Sequence, residues 1–293
     1  MQPIAAWLVA RPQNSVLGLA ASLLLPFAQI FGGAVMVLMV LQLGLRRAIV
    51  AGLAAAAILS VIALLVGSPV AQMLANALVT WLPAWVLAAL MVQWRSLTLT
   101  LQVSAMLAML ATLAFYIVLG DPTAFWTDVL KNVAIVFREL GLQEQAAVLL
   151  EQQAVIAPQM TMLVVFTSWL MTVLVLLLGY AVFQVLPGNK GLFGRFCDLN
   201  FGRVLALIMA LASLVAMLSG ALWLQNLAFV MFAIFWLQGL AIVHWWQAER
   251  RLPAAVLIAV YAMLPLLNAL LVMALAVVGY MDAWFAFRRH KKA

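Results

Sequence analysis

Charge is what this chain has least of. Only 8% of its 293 residues are Asp, Glu, Lys or Arg, against 69% apolar. A soluble globular domain carries roughly 25% charged residues, so a fully water-facing surface is excluded. Cys197 is the one cysteine, which excludes an internal disulfide and a multi-cysteine metal site. Strand-type alternation is missing, which excludes a membrane β-barrel. There is no His-Glu-x-x-His run, no Walker A sequence and no dinucleotide-binding glycine pattern. Gly188-x-x-Gly191-x-x-Gly194 lacks the strand–turn–helix setting that phosphate binding needs, and reads as a flexible loop. No catalytic residue, cofactor or metal is expected, and the chain does not read as an enzyme.

Long apolar runs are what is there. They predict an all-α fold, a polytopic membrane helical bundle forming a single integral membrane domain over 1–293. About eight hydrophobic segments are legible: 16–43, 48–66, 70–93, 97–119, 161–185, 204–222, 227–246 and 254–280. The first is 28 residues long where a span needs about 20, and it contains Pro26 and Gly32-Gly33. It is expected to break into two short helices or one sharply kinked helix. Pro83 between Trp81 and Trp85 suggests a broken third segment, and Gln225-Asn226 a tight turn between the sixth and seventh.

The one long stretch not suited to the bilayer interior is 121–159, which carries five of the eight carboxylates. It reads as an amphipathic helical insert in two pieces. The first starts at Asp121-Pro122-Thr123, with Thr123 as N-cap, and stops at Gly141 in the C′ position. Its apolar stripe gives Trp126, Val133, Phe137 and Leu140 as the docking side, able to serve as a cap or lid.

The net charge of +7 is no nucleic-acid footprint, because the cations sit in short loops and at the C-terminus. Positive-inside distribution places the basic loop 187–203 in the cytoplasm and the insert outside. If Arg250-Arg251 is inside and 254–280 spans once, the basic tail lies outside, against the same rule. Either that segment folds back at Pro265 or the tail is an exception; the flanking cations weigh toward both termini being cytoplasmic.

Ionisable side chains are nearly absent from the membrane segments, with His244 near the end of the seventh and Asp282 past the end of the eighth. That counts against a proton-driven pump. Neutral polar groups remain, and Gln72, Asn76, Gln102, Tyr116, Tyr180, Gln238 and Asn268 are the candidates for lining a cavity. Each alone is equally served by hydrogen bonds between helices.

Several motifs then carry a resemblance. Gly44-Leu45-Arg46-Arg47 follows a broken first segment, and Leu186-Pro187 heads the basic loop. Gly239-Leu240-Ala241-Ile242-Val243-His244 precedes a basic turn, and Gly279-x-x-Asp282-x-Trp284-x-x-x-Arg288 closes the chain. The whole resembles the YybS-like family of bacterial multi-pass membrane proteins. That family is distantly similar to the S components of energy-coupling-factor transporters, which meet their coupling subunit through a small-residue face on an early helix. The resemblance implies that Gly18-x-x-x-Ser22 is the equivalent helix-packing face. It also implies a bacterial inner-membrane protein that binds or helps to move a small molecule. The alternative is a non-catalytic membrane scaffold or assembly factor, working through helix packing and basic cytoplasmic loops. The expected partners are the lipid bilayer, a small-molecule ligand and other membrane subunits, and no nucleic acid.

Overall fold

The computed structural model describes residues 2–249 and 251–288, and the side chains of all of these except 265–269. Asn268 therefore lies outside the residues whose side chains are described. The described residues are all-α, with no strand among them. Among the described residues six helices are long and apolar enough to cross a membrane, and shorter apolar helices accompany them. This is the bundle of a multi-pass membrane protein. It groups into two compact units, Met1–Ser104 with Leu170–Arg195, and Ala105–Trp169 with Phe196–Ala293.

The first unit opens with α1 (Gln2–Ala10), α2 (Pro12–Leu23) and α3 (Ala28–Leu43). Pro12 ends α1 and begins α2 at a position where its missing N–H costs nothing. The expected break of the first long segment falls at residues 24–27, where Pro26 precedes Phe27 in the left-handed region (φ 59°). Gly32 and Gly33 are not part of that break. They lie inside α3 and let it approach Thr80 of the next helix but one, and Val175.

Then come α4 (Leu45–Val66), α5 (Val70–Trp94) and α6 (Leu97–Leu119). α4 ends in a Schellman closure: Gly67 N–H donates to Leu64 and Ser68 N–H to Ala63. α5 runs unbroken through Pro83, contrary to the expectation of a broken segment. Proline is tolerated inside a membrane helix because neighbouring groups re-satisfy the freed backbone.

The insert comprises α7 (Thr123–Glu139), α8 (Gln143–Glu151), α9 (Gln153–Ile156) and a 3₁₀ turn at Ala157–Gln159. It feeds α10 (Met160–Gln184). A 3₁₀ turn at Phe196–Asp198 precedes α11 (Gly202–Ser219), α12 (Leu222–Ala248) and α13 (Ala254–Phe285). The turn between α11 and α12 is made at Gly220 (φ 66°), not at Gln225-Asn226. Asn226 instead sits buried in the first turns of α12, donating to Tyr116 and to the Pro158 carbonyl. A left-handed glycine is the cheaper way to reverse the chain.

α12 is the central helix of the second unit. Of its apolar window 78% is buried, against 17% for α11. A Cβ on Gly239 would lie 1.9 Å from the Leu275 carbonyl oxygen, and one on Gly279 2.1 Å from the Phe235 carbonyl oxygen. Helices α12 and α13 thus touch backbone to backbone, an approach only small residues permit.

Candidate functional site

Where α12 and α13 touch, the second unit places its one buried carboxylate. Asp282 stands three residues after Gly279, in the last turn of α13, and is 1% exposed. The sequence placed it beyond the membrane segment; the helix in fact continues to Phe285. Gln238, the neighbour of Gly239, is fully buried and donates from Nε2 to Asp282 Oδ2 at 2.8 Å. Its Oε1 accepts the Phe201 N–H at 2.7 Å. An amide with a carboxylate on one side and an N–H on the other has only one satisfying orientation.

Arg288 closes the arrangement. One guanidinium nitrogen lies 2.5 Å from Asp282 Oδ2, and the other donates to the Cys197 carbonyl at 2.8 Å. Asp282 Oδ1 is buried and has no hydrogen-bond partner among the described residues. A buried charge is retained only with a counter-charge and hydrogen bonds around it, and here these come from three separate segments. The loop before α11, the middle of α12 and the end of α13 are thereby clasped together. Arg203 adds a bond to the Trp284 carbonyl at 3.3 Å.

α13 is tied to its surroundings by a contact near its start and another just past its end. Tyr261, near its start, hydrogen-bonds His244 at 2.8 Å, and the Phe196 ring stands edge-on to His244. Arg288, beyond its end, bonds the adjacent Cys197. α13 itself runs unbroken from Ala254 through Pro265 to Phe285, contrary to the expected break or fold-back of the last segment. Arg288 thus meets the loop that the sequence placed in the cytoplasm.

The other candidate cavity residues are individually placed rather than gathered. Gln72 and Asn76 are exposed on α5, and Gln102 is half-buried on α6. Tyr180 is buried and belongs to the loop that follows its own helix: its hydroxyl donates to the Gly194 carbonyl at 2.7 Å and accepts the Phe193 N–H at 3.2 Å. Tyr116 is bonded by Asn226, and Gln238 by the clasp. These groups fasten loops and helices. Gly18 and Ser22 are likewise committed inside the chain. A Cβ on Gly18 would meet Leu8 of α1 at 2.2 Å, and one on Gly32 would meet Ser22 Oγ at 3.3 Å.

The insert is docked through Trp126, as expected, but not through Val133, Phe137 and Leu140. Trp126, Leu130 and Ala134 are buried, whereas Val133 is 37% and Leu140 68% exposed and Phe137 is half-buried. The buried set is a strict i, i+4, i+8 row, set by Trp126. Its indole stacks on Phe115 and donates to Thr161 Oγ1 at 2.8 Å. Leu130 and Ala157 complete the cluster. Thr123 is not the cap; its N–H donates to Asp121 Oδ1, and the bonds from Thr123 hold that carboxyl below its usual pKa. Gly141 does take the C′ position, with Leu142 N–H returning to the Phe137 carbonyl. The cleft beside Phe137, about 370 Å³, is bounded by the insert's own residues such as Val148 and Ile156.

In the first unit a groove of about 440 Å³ runs between α3, α4 and α5. Its walls are apolar, from Met36, Leu53, Leu78, Trp81 and Trp85 among others, and the indole nitrogens of both tryptophans have no hydrogen-bond partner among the described residues. Sequence reading missed this groove and the clasp. The signal for the clasp was the pairing of Gln238-Gly239 with Gly279-x-x-Asp282, two glycines each beside a hydrogen-bonding side chain.

These features define an all-α, multi-pass membrane protein whose internal polar groups are used as fasteners. No family model, curated protein or solved structure matches the chain.

Proposed function

We propose that the chain is a non-catalytic scaffold or assembly factor of the bacterial inner membrane, presenting its basic loop and tail to other membrane subunits. The supporting observation is the clasp of Gln238, Asp282 and Arg288, which ties residues 197–201 and Arg288 to α12 and α13. Ordering a polar loop costs conformational entropy. A fixed loop surface is what recognition by a partner would use. The resemblance to YybS-like proteins belongs to this reading as well.

A photoreactive residue at the exposed Asn200 tests it in intact cells. The expected result is one discrete protein adduct that is lost in Arg288→Gln. Labelling of lipid alone would speak against it.

The S-component-like reading, binding of a small molecule, is favoured by one observation, the α3–α4–α5 groove. Its walls fit an apolar ligand carrying a hydrogen-bond acceptor for Trp81 or Trp85. Mass spectrometry of the protein released from mild detergent tests it. A stoichiometric small molecule displaced by Ala56→Phe supports that reading, and a ligand-free protein speaks against it.

A further inference from the structure

The first unit is short of anions altogether. Its cations are Arg11, Arg46, Arg47, Arg95, Lys190 and Arg195, and it holds no Asp or Glu. Arg46 and Arg47 are exposed at the start of α4, and among the described residues no hydrogen bond or ion pair engages either guanidinium. Both line a cleft of about 520 Å³ formed by α1, α2, the end of α3 and α4. The rest of its wall is mainly apolar and includes Val9, Val16, Val50 and Ala54.

Two guanidiniums beside an apolar wall match one kind of molecule. We propose that this cleft binds an anionic glycerophospholipid, its phosphate on Arg46 and Arg47 and an acyl chain along Val9, Val16, Val50 and Ala54. A guanidinium is weakly hydrated and can bond a phosphate through two N–H groups at once. The cleft lies at the junction of α3 and α4, at the end of a span, which is where lipid headgroups are found. Basic pockets between membrane helices are established headgroup sites as a chemical class, and each cation near an anionic surface strengthens binding about fivefold. The unit supplies no carboxylate of its own, so the counter-charge must come from outside it. This inference holds under either reading of function.

The test uses the full chain in mild detergent, with retained lipid counted by native mass spectrometry. Phosphatidylglycerol and phosphatidylcholine of identical chains are offered at equal concentration. Phosphatidylglycerol should be retained about tenfold or more over phosphatidylcholine. The preference should vanish in the double variant Arg46→Gln/Arg47→Gln, whose substitutions are on exposed side chains. Ala54→Phe keeps both guanidiniums but fills the chain-binding wall, and should lower phosphatidylglycerol retention by a similar factor. Thermal unfolding of each variant confirms that it is folded. Equal retention of the two lipids, or unchanged retention in either variant, would overturn the proposal. Complete displacement by millimolar inorganic phosphate would assign the cleft to free phosphate and overturn it equally.

Discussion

A carboxylate persists among membrane helices only where its charge is answered, and Asp282 is answered by Arg288 and Gln238. Removing one member of a buried pair leaves the other uncompensated, at about 3–5 kcal/mol. Arg288→Gln should therefore destabilise the second unit by that order, read as thermal unfolding in detergent, and raise the thiol reactivity of Cys197. Adding Asp282→Asn should recover part of the loss, because the orphaned charge goes with it. A double variant as unstable as the sum of the two single ones would show that Asp282 and Arg288 are not coupled. Glycine carries as much here as charge does. Gly239→Ala or Gly279→Ala would drive a methyl group into backbone, which cannot yield as a side chain can. Overpacking costs typically about 1–3 kcal/mol and sometimes more, so both should lower the melting temperature well beyond Leu207→Ala on exposed α11. At the other end of the chain, Leu19 is fully buried and Leu17 is exposed. Gly18→Leu should thus disturb α1–α2 packing far more than Leu17→Ala, whereas Leu19→Ala should itself be costly.

At the scale of elements, the sequence carried the apolar stretches faithfully and their interruptions less so. Pro26 broke its segment and Pro83 did not, because only the first is followed by a left-handed residue and a change of direction. Proline alone does not encode which outcome applies. Gly220, in the sixth predicted segment, made the turn that polar Gln225-Asn226 advertised. In the insert, amphipathic spacing gave the helices and Gly141 gave the stop. The docked row was hidden because Ala134 has little hydrophobic weight yet is almost fully buried, while Leu140 has much and is exposed. The cavity residues were illegible for a similar reason: a Gln or Tyr within an apolar run looks the same whether it faces a ligand or a loop carbonyl. From the docked row, Trp126→Ala and Leu130→Ala should each loosen the insert, by about 2–5 kcal/mol for a well-packed site. Leu140→Ala should do little. Hydrogen exchange across residues 123–156 reads this directly, and equal exchange in all three variants would mean that the row does not hold the segment.

For the whole molecule, one helix relates the acidic insert to the basic loop. α10 begins directly after Ala157–Gln159 and ends at Gln184, and its 25 residues give about 38 Å of rise. That exceeds a hydrocarbon core of about 30 Å, so α10 is long enough to cross the bilayer, and its two ends are then expected at opposite faces. Which face is which is a matter of charge. Five of the eight carboxylates lie in 121–159, while Lys190, Arg195 and Arg203 lie in or beside the loop beyond α10, which has the single acid Asp198. Loop cations are retained on the cytoplasmic side, and Arg288 is bonded to that same loop, so Arg288 is expected on that side as well. We therefore expect the insert outside and both loop and tail inside. In a Cys197→Ser background, Gln145→Cys should react with a membrane-impermeant maleimide on intact cells. Lys190→Cys should react only after the membrane is opened. Lys190 is the better probe than Asn189, which is half-buried and donates to Gln42 Oε1 at 2.7 Å. A cysteine at Phe287, exposed beside Arg288, should follow Lys190→Cys. If Lys190→Cys is labelled on intact cells and Gln145→Cys is protected, the orientation is inverted. If Phe287→Cys follows Gln145→Cys instead, α13 crosses the membrane once and the clasp does not form in the bilayer.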